Sequence, residues 1–206
     1  MTKHRGGLTP DKYLTDEQLK KLRSYVKEQA DLARHRGSKR AVTDELIIEI
    51  LVNSGLRARE LAGLTIGDLP MAHGKPCLWV RNGKGAIDRV VEIPQSLIKQ
   101  LTRYIKLYRK KAELTDPLFA SRFGTPIHYR TLREKMVKLA QRAGVPGLHL
   151  HMLRHTYAVR LYNVEKDLRF VQDQLGHSSP TVTAIYAQTN AEGRKRQVQA
   201  LDKPEE

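Results

Sequence analysis

Leu19, Leu22 and Val26 recur at three- and four-residue steps, a spacing that places them on one face of a helix. Thr15 opens that helix, and Gln18 three residues on completes the pattern of a capping box, until RHRGSKR breaks the periodicity. A second helix is predicted over residues 43 to 54 and ends at Gly55, after which LRARELAGL restarts a short helix that turns Leu56, Leu61 and Leu64 to the core. Between about 77 and 93 the pattern changes. CLWV and RVVEIP are short β-branched or aromatic runs on either side of RNGKGAID, which predicts an antiparallel hairpin with a basic tip. Residues 96 to 111 return to helix, with Leu97, Leu101, Ile105 and Tyr108 on one stripe, and PLFAS at 117 to 121 has the composition of an isolated strand. Further helices are predicted near 130 to 143, 151 to 163, 167 to 175, 180 to 187 and 191 to 200, with loops at GVPGLH and GHSSP. The fold class is therefore α+β, mainly α-helical with a small antiparallel β-sheet. Residues 1 to 12 have no periodicity and are expected to form a flexible basic arm. Residues 13 to 190 form one domain, and 191 to 206 a C-terminal helix or tail. No internal repeat or low-complexity linker divides it.

Charge narrows the choice of partner. The chain has 206 residues, 40% of them hydrophobic, and its 37 Lys and Arg against 22 Asp and Glu leave a formal net charge of +15. Such an excess calls for a polyanion, either nucleic acid or an anionic membrane surface. No stretch approaches the roughly eighteen consecutive apolar residues of a membrane span, and no signal peptide is visible, so nucleic acid is favoured. The basic residues are spread through periodic, core-forming sequence, which points to binding by a folded surface. Cys77 is the single cysteine, which excludes an internal disulfide and fits a reducing cytoplasm; in CLWV it reads as core.

The stretch LHLHMLRHTYAVRL, residues 148 to 161, sets His151 and His155 four apart with Arg154 between them. Zinc hydrolases use this spacing as His-Glu-x-x-His, but here Met152 occupies the position of the general-base carboxylate, and no third ligand follows. The alternative is that these residues hold a phosphate, which requires partners elsewhere in the chain.

Such partners exist. SGLRARE contains Arg57, NGKG contains Lys84, HMLRH contains His151 and Arg154, LGH contains His177 and AIYAQ contains Tyr186. Their order and spacing resemble the catalytic domain of the tyrosine recombinases, the family of phage integrases and Xer-type resolvases. The resemblance runs from YLTDEQL at residue 13 to Tyr186, and LGHSSPTVTAIY keeps the family's nine-residue step from histidine to tyrosine. It implies a site-specific recombinase that cleaves and rejoins DNA through a 3′-phosphotyrosyl intermediate, with no cofactor, no metal and no ATP. Physical chemistry agrees with the roles it assigns. Two arginines, Arg57 and Arg154, can neutralise charge on the non-bridging oxygens with fixed forks of donors, and Glu60 can orient Arg57. The resemblance makes Tyr186 the nucleophile; a phenol with an ordinary pKa of about 10 needs cationic surroundings and a base, and His151 resembles the family's base. Lys84, flanked by glycines at the hairpin tip, resembles the general acid for the leaving 5′-oxygen. His177 resembles the second phosphate-binding histidine, His155 is assigned a buried supporting role, and His149 has no assigned role.

The hairpin departs from the family in one place, reading AIDR with Asp88 and Arg89 where a second lysine is common. The separate N-terminal core-binding domain typical of the family is not expected within this chain, whose first helix begins near residue 13. The resemblance further implies double-stranded DNA as partner, other protomers in a synaptic tetramer coupled through the tail, a possible accessory DNA-binding protein, no membrane, and a cytoplasmic, nucleoid-associated location in a prokaryote or phage. Two rival activities share most of these residues: type IB topoisomerase-like strand relaxation, and DNA binding by a catalytically inactive regulator of the same fold.

Overall fold

Thr15 ends its extended segment by accepting a hydrogen bond from the Gln18 amide, while the Gln18 side chain accepts one from the Thr15 amide. This reciprocal cap starts helix α1, Asp16–His35, which buries Leu19, Leu22, Val26, Ala30 and Ala33 along one stripe. The computed structural model describes residues 10–81, 88–177 and 179–187. Within it, α1 packs on helix α2, Lys39–Ser54, whose every residue from Leu46 to Val52 is buried. Helix α2 therefore has no polar face over that length, and it is the axis around which α1, α5 and α7 assemble.

Its acidic residues are accommodated by cations brought from neighbouring helices. Glu49 receives a forked pair of bonds from Arg23 of α1 at 2.7 and 2.6 Å, Glu45 pairs with Arg34, and Asp44 pairs with Lys135. A carboxylate at such a position would otherwise be neutralised or expelled. The helix stops at Gly55, whose φ of 62° lets its amide reach back to Leu51.

Helices α3, Ala58–Gly63, and α4, Pro70–His73, flank a 3-10 turn and lead into the hairpin of β1, Cys77–Val80, and β2, Arg89–Glu92. In its antiparallel register Leu78 and Val91 face inward together, and Trp79 and Val90 face solvent. The predicted hairpin is thus present; its tip lies outside the described residues. Helix α5, Gln95–Tyr108, buries Leu97, Leu101 and Tyr104, with Ile105 and Tyr108 packed beside them. PLFAS does not form a strand. It makes two isolated bridges, Thr65 with Pro117 and Ala120 with Pro126, because Leu118 bonds back to the Leu64 carbonyl and each side of the segment finds a different partner.

Helices α6, Tyr129–Arg142, α7, Leu150–Glu165, α8, Leu168–Leu175, and α9, Pro180–Ala187, complete the described fold within one residue of the predicted spans, apart from two extra residues at the end of α7. Of the predicted arm, Pro10–Lys12 form a 3-10 turn, and the remainder lies outside the described residues, as does the predicted helix over 191 to 200. The core has two parts. The larger surrounds α2, and a smaller one joins Tyr157, Ala158, Val159, Val171, Leu175 and Tyr186. Helix α7 runs from one to the other, contributing Met152 and Leu153 to the first and Tyr157 to the second. Among the described residues no helix is long and apolar enough to cross a membrane.

Gly55 is where these two parts meet. A Cβ there would lie 2.4 Å from the Tyr157 ring and 2.9 Å from a Leu175 methyl, on a backbone already at positive φ. Gly55→Ala is expected to destabilise the fold by about 2 to 4 kcal/mol, lowering the melting temperature by roughly 5 to 15 °C. A thermal melt followed by circular dichroism checks this, and an unchanged melting temperature would show that Tyr157 and Leu175 move aside freely.

Candidate phosphodiester site

Arg154 lies in the middle of α7 and retains only 2% of its surface exposure. One end of its guanidinium donates to the Gly55 carbonyl at 2.7 Å and the other to the Leu175 carbonyl at 2.7 Å. Those carbonyls close α2 and α8, so the buried cation sits against two helix C-termini, where the macrodipole favours positive charge. Burial, followed by repulsion from Arg57, lowers its pKa to about 10, which leaves it charged at neutral pH.

Arg57 caps α3 immediately after the Gly55 turn. Its side chain is 30% exposed and donates to Glu60 at 2.8 Å, while its amide donates to the other Glu60 oxygen at 2.7 Å. The two guanidiniums line a cleft of about 420 Å³ together with Arg59, Arg133, His149 and His151. Among the described residues that line this cleft there is no carboxylate. Glu60 pairs with Arg57 from outside the cleft, and the remaining cations that converge on it make it a receptor for an anion.

The histidines and the tyrosine converge from α7, α8 and α9. The rings of His151 and His155 pack edge to face at 4.3 Å, and His155 Nδ1 lies 2.9 Å from the Tyr186 hydroxyl. His177 lies parallel to the Tyr186 ring at 6.4 Å, its Nδ1 bonded to Thr183 Oγ1 at 3.0 Å and its carbonyl accepting from Gln172. Burial, with nearby cationic groups adding to it, lowers the pKa of His155 and of His177 to about 4, and lowers that of His151 as well. Tyr186 is 1% exposed, and burial raises its pKa to about 12 against the opposing pull of Arg154. At neutral pH, then, a neutral phenol rests against a neutral imidazole. Among the described residues no three His, Cys, Asp or Glu side chains are grouped to hold a metal ion.

The phage integrase family model matches residues 12–192. The chain belongs to this family. It is 34% identical over 165 residues to the tyrosine recombinase XerC of Neisseria meningitidis, covering 79% of this chain and 52% of that protein. To the tyrosine recombinase XerA of Pyrococcus furiosus it is 30% identical over 194 residues, covering 93% and 62%. Among solved structures, a crystal structure of XerA recombinase superposes with a TM-score of 0.73 at 26% identity, over 94% of this chain and 66% of that one. The XerH site-specific recombinase bound to difH substrate in a pre-cleavage complex superposes with a TM-score of 0.70 at 26% identity, over 85% and 50%. The chain thus spans about half the length of the XerC relatives it matches.

Within the integrase fold, Arg57, His151, Arg154, His177 and Tyr186 are gathered from four elements and their flanking turns; Lys84 lies outside the described residues. Two features differ from the expectation. His155, expected only to brace its helix, is the histidine bonded to the Tyr186 hydroxyl, whereas His151, one turn earlier, faces the cleft. A four-residue step puts both on one face, and spacing alone does not say which of them meets a residue 31 positions away. The second is Arg89, which forks onto Glu60 at 2.8 and 3.0 Å. Its only local signal is an arginine at the head of a largely apolar strand.

The neutral histidines make stability depend on pH. Unfolded, each would titrate at about 6.5; folded, His155 and His177 titrate at about 4. Between those values the unfolded chain binds more protons, so their contribution is intact above about pH 6.5 and is lost as pH falls toward 4. Melting temperatures across that range should fall with acidification while the imidazole NMR signals of both residues remain those of the neutral ring. Titration of either near its ordinary value would contradict the burial argument.

Proposed function

We propose that this chain is the catalytic domain of a site-specific DNA recombinase that cleaves and rejoins duplex DNA through a 3′-phosphotyrosyl intermediate. The observation that carries the reading is the pairing of two fixed guanidiniums, Arg57 and Arg154, in a cleft lined by further cations, near a tyrosine whose hydroxyl is held by a histidine. Phosphoryl transfer needs positioning and neutralisation of charge on the non-bridging oxygens, and paired guanidiniums supply both. The names of the relatives, tyrosine recombinases, and of the XerH complex with its DNA substrate support the same reading.

In the proposed reaction the scissile phosphate binds between Arg57 and Arg154, with His177 donating a further hydrogen bond. The Tyr186 oxygen attacks phosphorus and its proton passes to a histidine, with His151 facing the cleft and His155 already bonded to the hydroxyl. The bond to the 5′-oxygen breaks, and that oxygen takes a proton from Lys84. The phosphotyrosyl ester conserves the energy of the original bond, so a 5′-hydroxyl from a second duplex can attack it and reverse the step without ATP. Strand exchange between two duplexes calls for a protomer at each cleaved strand, hence a tetramer.

A nicked suicide duplex, which traps the intermediate by losing the short 5′-hydroxyl strand, tests the nucleophile. Wild-type protein should accumulate a covalent adduct in the presence of EDTA, and Tyr186→Phe should bind the duplex yet form none. An adduct that survives that substitution, or one that forms only with added metal, would overturn the mechanism.

Lys84 is tested through the leaving group. A bridging 5′-phosphorothiolate departs without protonation, so it should restore most of the roughly 10²- to 10⁴-fold loss in Lys84→Ala. The same substrate should restore Arg154→Ala far less. Equal failure to rescue the two variants would leave Lys84 as a phosphate contact only.

A further inference from the structure

The Glu60 carboxylate accepts four N–H groups. Arg57 supplies its amide at 2.7 Å and Nη1 at 2.8 Å; Arg89 supplies Nη1 at 2.8 Å and Nη2 at 3.0 Å. These bonds outweigh the burial that would raise the carboxyl pKa and hold it down at about 2, so Glu60 is an anion at any working pH. Arg89 reaches further. Its Nε donates to the Gln174 carbonyl at 3.2 Å, and the next carbonyl along, Leu175, is the one that fixes Arg154. Gly176 leaves room for this, since a Cβ there would stand 2.8 Å from Arg89 Cδ on a backbone at φ 63°. One nearly buried side chain from β2 therefore touches the supports of both cleft arginines, directly before His177.

The charges add to the geometry. Arg57 and Glu60 alone would cancel, leaving Arg154 as the principal fixed cation near the phosphate. With Arg89 the group of three is net positive, because the one Glu60 carboxylate is shared between two guanidiniums. We propose that Arg89 is a positioning residue: through Glu60 it sets Arg57, and through the Gln174 carbonyl it holds the end of α8 on which Arg154 and His177 depend. This rests on reading the cleft as a phosphodiester site.

The test uses the full chain with Arg89→Met and Arg89→Lys. On the nicked duplex, Arg89→Met should form adduct about 100-fold more slowly while its duplex Kd stays within about threefold of wild type. Arg89→Lys keeps the charge but not the fork, and should lose about tenfold. A methylphosphonate at the scissile position lacks one anionic oxygen and demands less of Arg57, so the deficit should shrink on it; general loosening of the fold would slow both substrates alike. Should Arg89→Met fail to fold, Arg89→Lys carries the same comparison. A second measurement needs no cleavage. Inorganic sulfate, titrated against the Arg57 Nε–H NMR signal, should bind more weakly in both variants. Unchanged sulfate affinity, or an equal deficit on both duplexes, would overturn the positioning role. Absence of adduct from wild-type protein, with sulfate affinity still dependent on Arg89, would instead sink the recombinase reading and leave the positioning role standing.

Discussion

A guanidinium buried to 2% exposure has to be surrounded by acceptors, and the way Arg154 meets that demand organises the site. Its acceptors are main-chain carbonyls, at the C-terminal ends of α2 and α8. Neither is a formal anion, so the cation is fixed in place without being neutralised. A carboxylate in the same position would have satisfied the geometry and quenched the charge. With carbonyls, the field remains available to whatever enters the cleft. The constraint also acts on the fold. Gly55 must turn back tightly enough for its carbonyl to face α7, and α8 must stop at Leu175, which the left-handed Gly176 allows.

Arg57 follows a different rule. It is partly exposed and has a carboxylate partner, an arrangement that by itself produces a neutral surface pair of little energetic consequence. What changes the outcome is that Glu60 is shared with Arg89 and is nearly inaccessible to water. The group carries an excess positive charge, so the cleft's character comes from a count of charges across three elements more than from any one of them.

The helices were legible because their stripes or caps are local. The Thr15 and Gln18 cap, the stripe of α1 and the glycine ends of α2 and α8 all lie within a few residues of one another and can be read directly. Helices α2 and α7 are buried around most of their circumference, so their boundaries were recognisable chiefly from the glycine stop and from the motif they contain. PLFAS looked like a strand by composition, yet pairing is a long-range property, and the partners it found were two short bridges on different neighbours. The same limit applies to the site. The residue types and order pointed to phosphate, but the Arg89 fork onto Glu60 spans 29 positions and the His155 bond to Tyr186 spans 31, and no periodicity encodes either. An arginine heading an apolar strand and a second histidine on the same face were visible; what they touch depends on tertiary packing.

The burial of Tyr186 bears on how such a site would be kept silent. Burial holds the phenol pKa up at about 12 and that of its imidazole neighbour down at about 4, so the neutral pair is favoured over phenolate and imidazolium. Phenolate is then scarce, and Tyr186 is only 1% exposed. A phosphodiester entering the cleft would act on the imidazole. Its negative charge would favour protonated histidine, raising the imidazole pKa, and would offset the surrounding cations that now hold it down. The phenol, already under the pull of Arg154, would then have a neighbour better able to take its proton. In the proposed reaction the substrate would therefore supply part of the electrostatics that its own cleavage requires, because the phosphate charge favours the protonated histidine that the transfer creates.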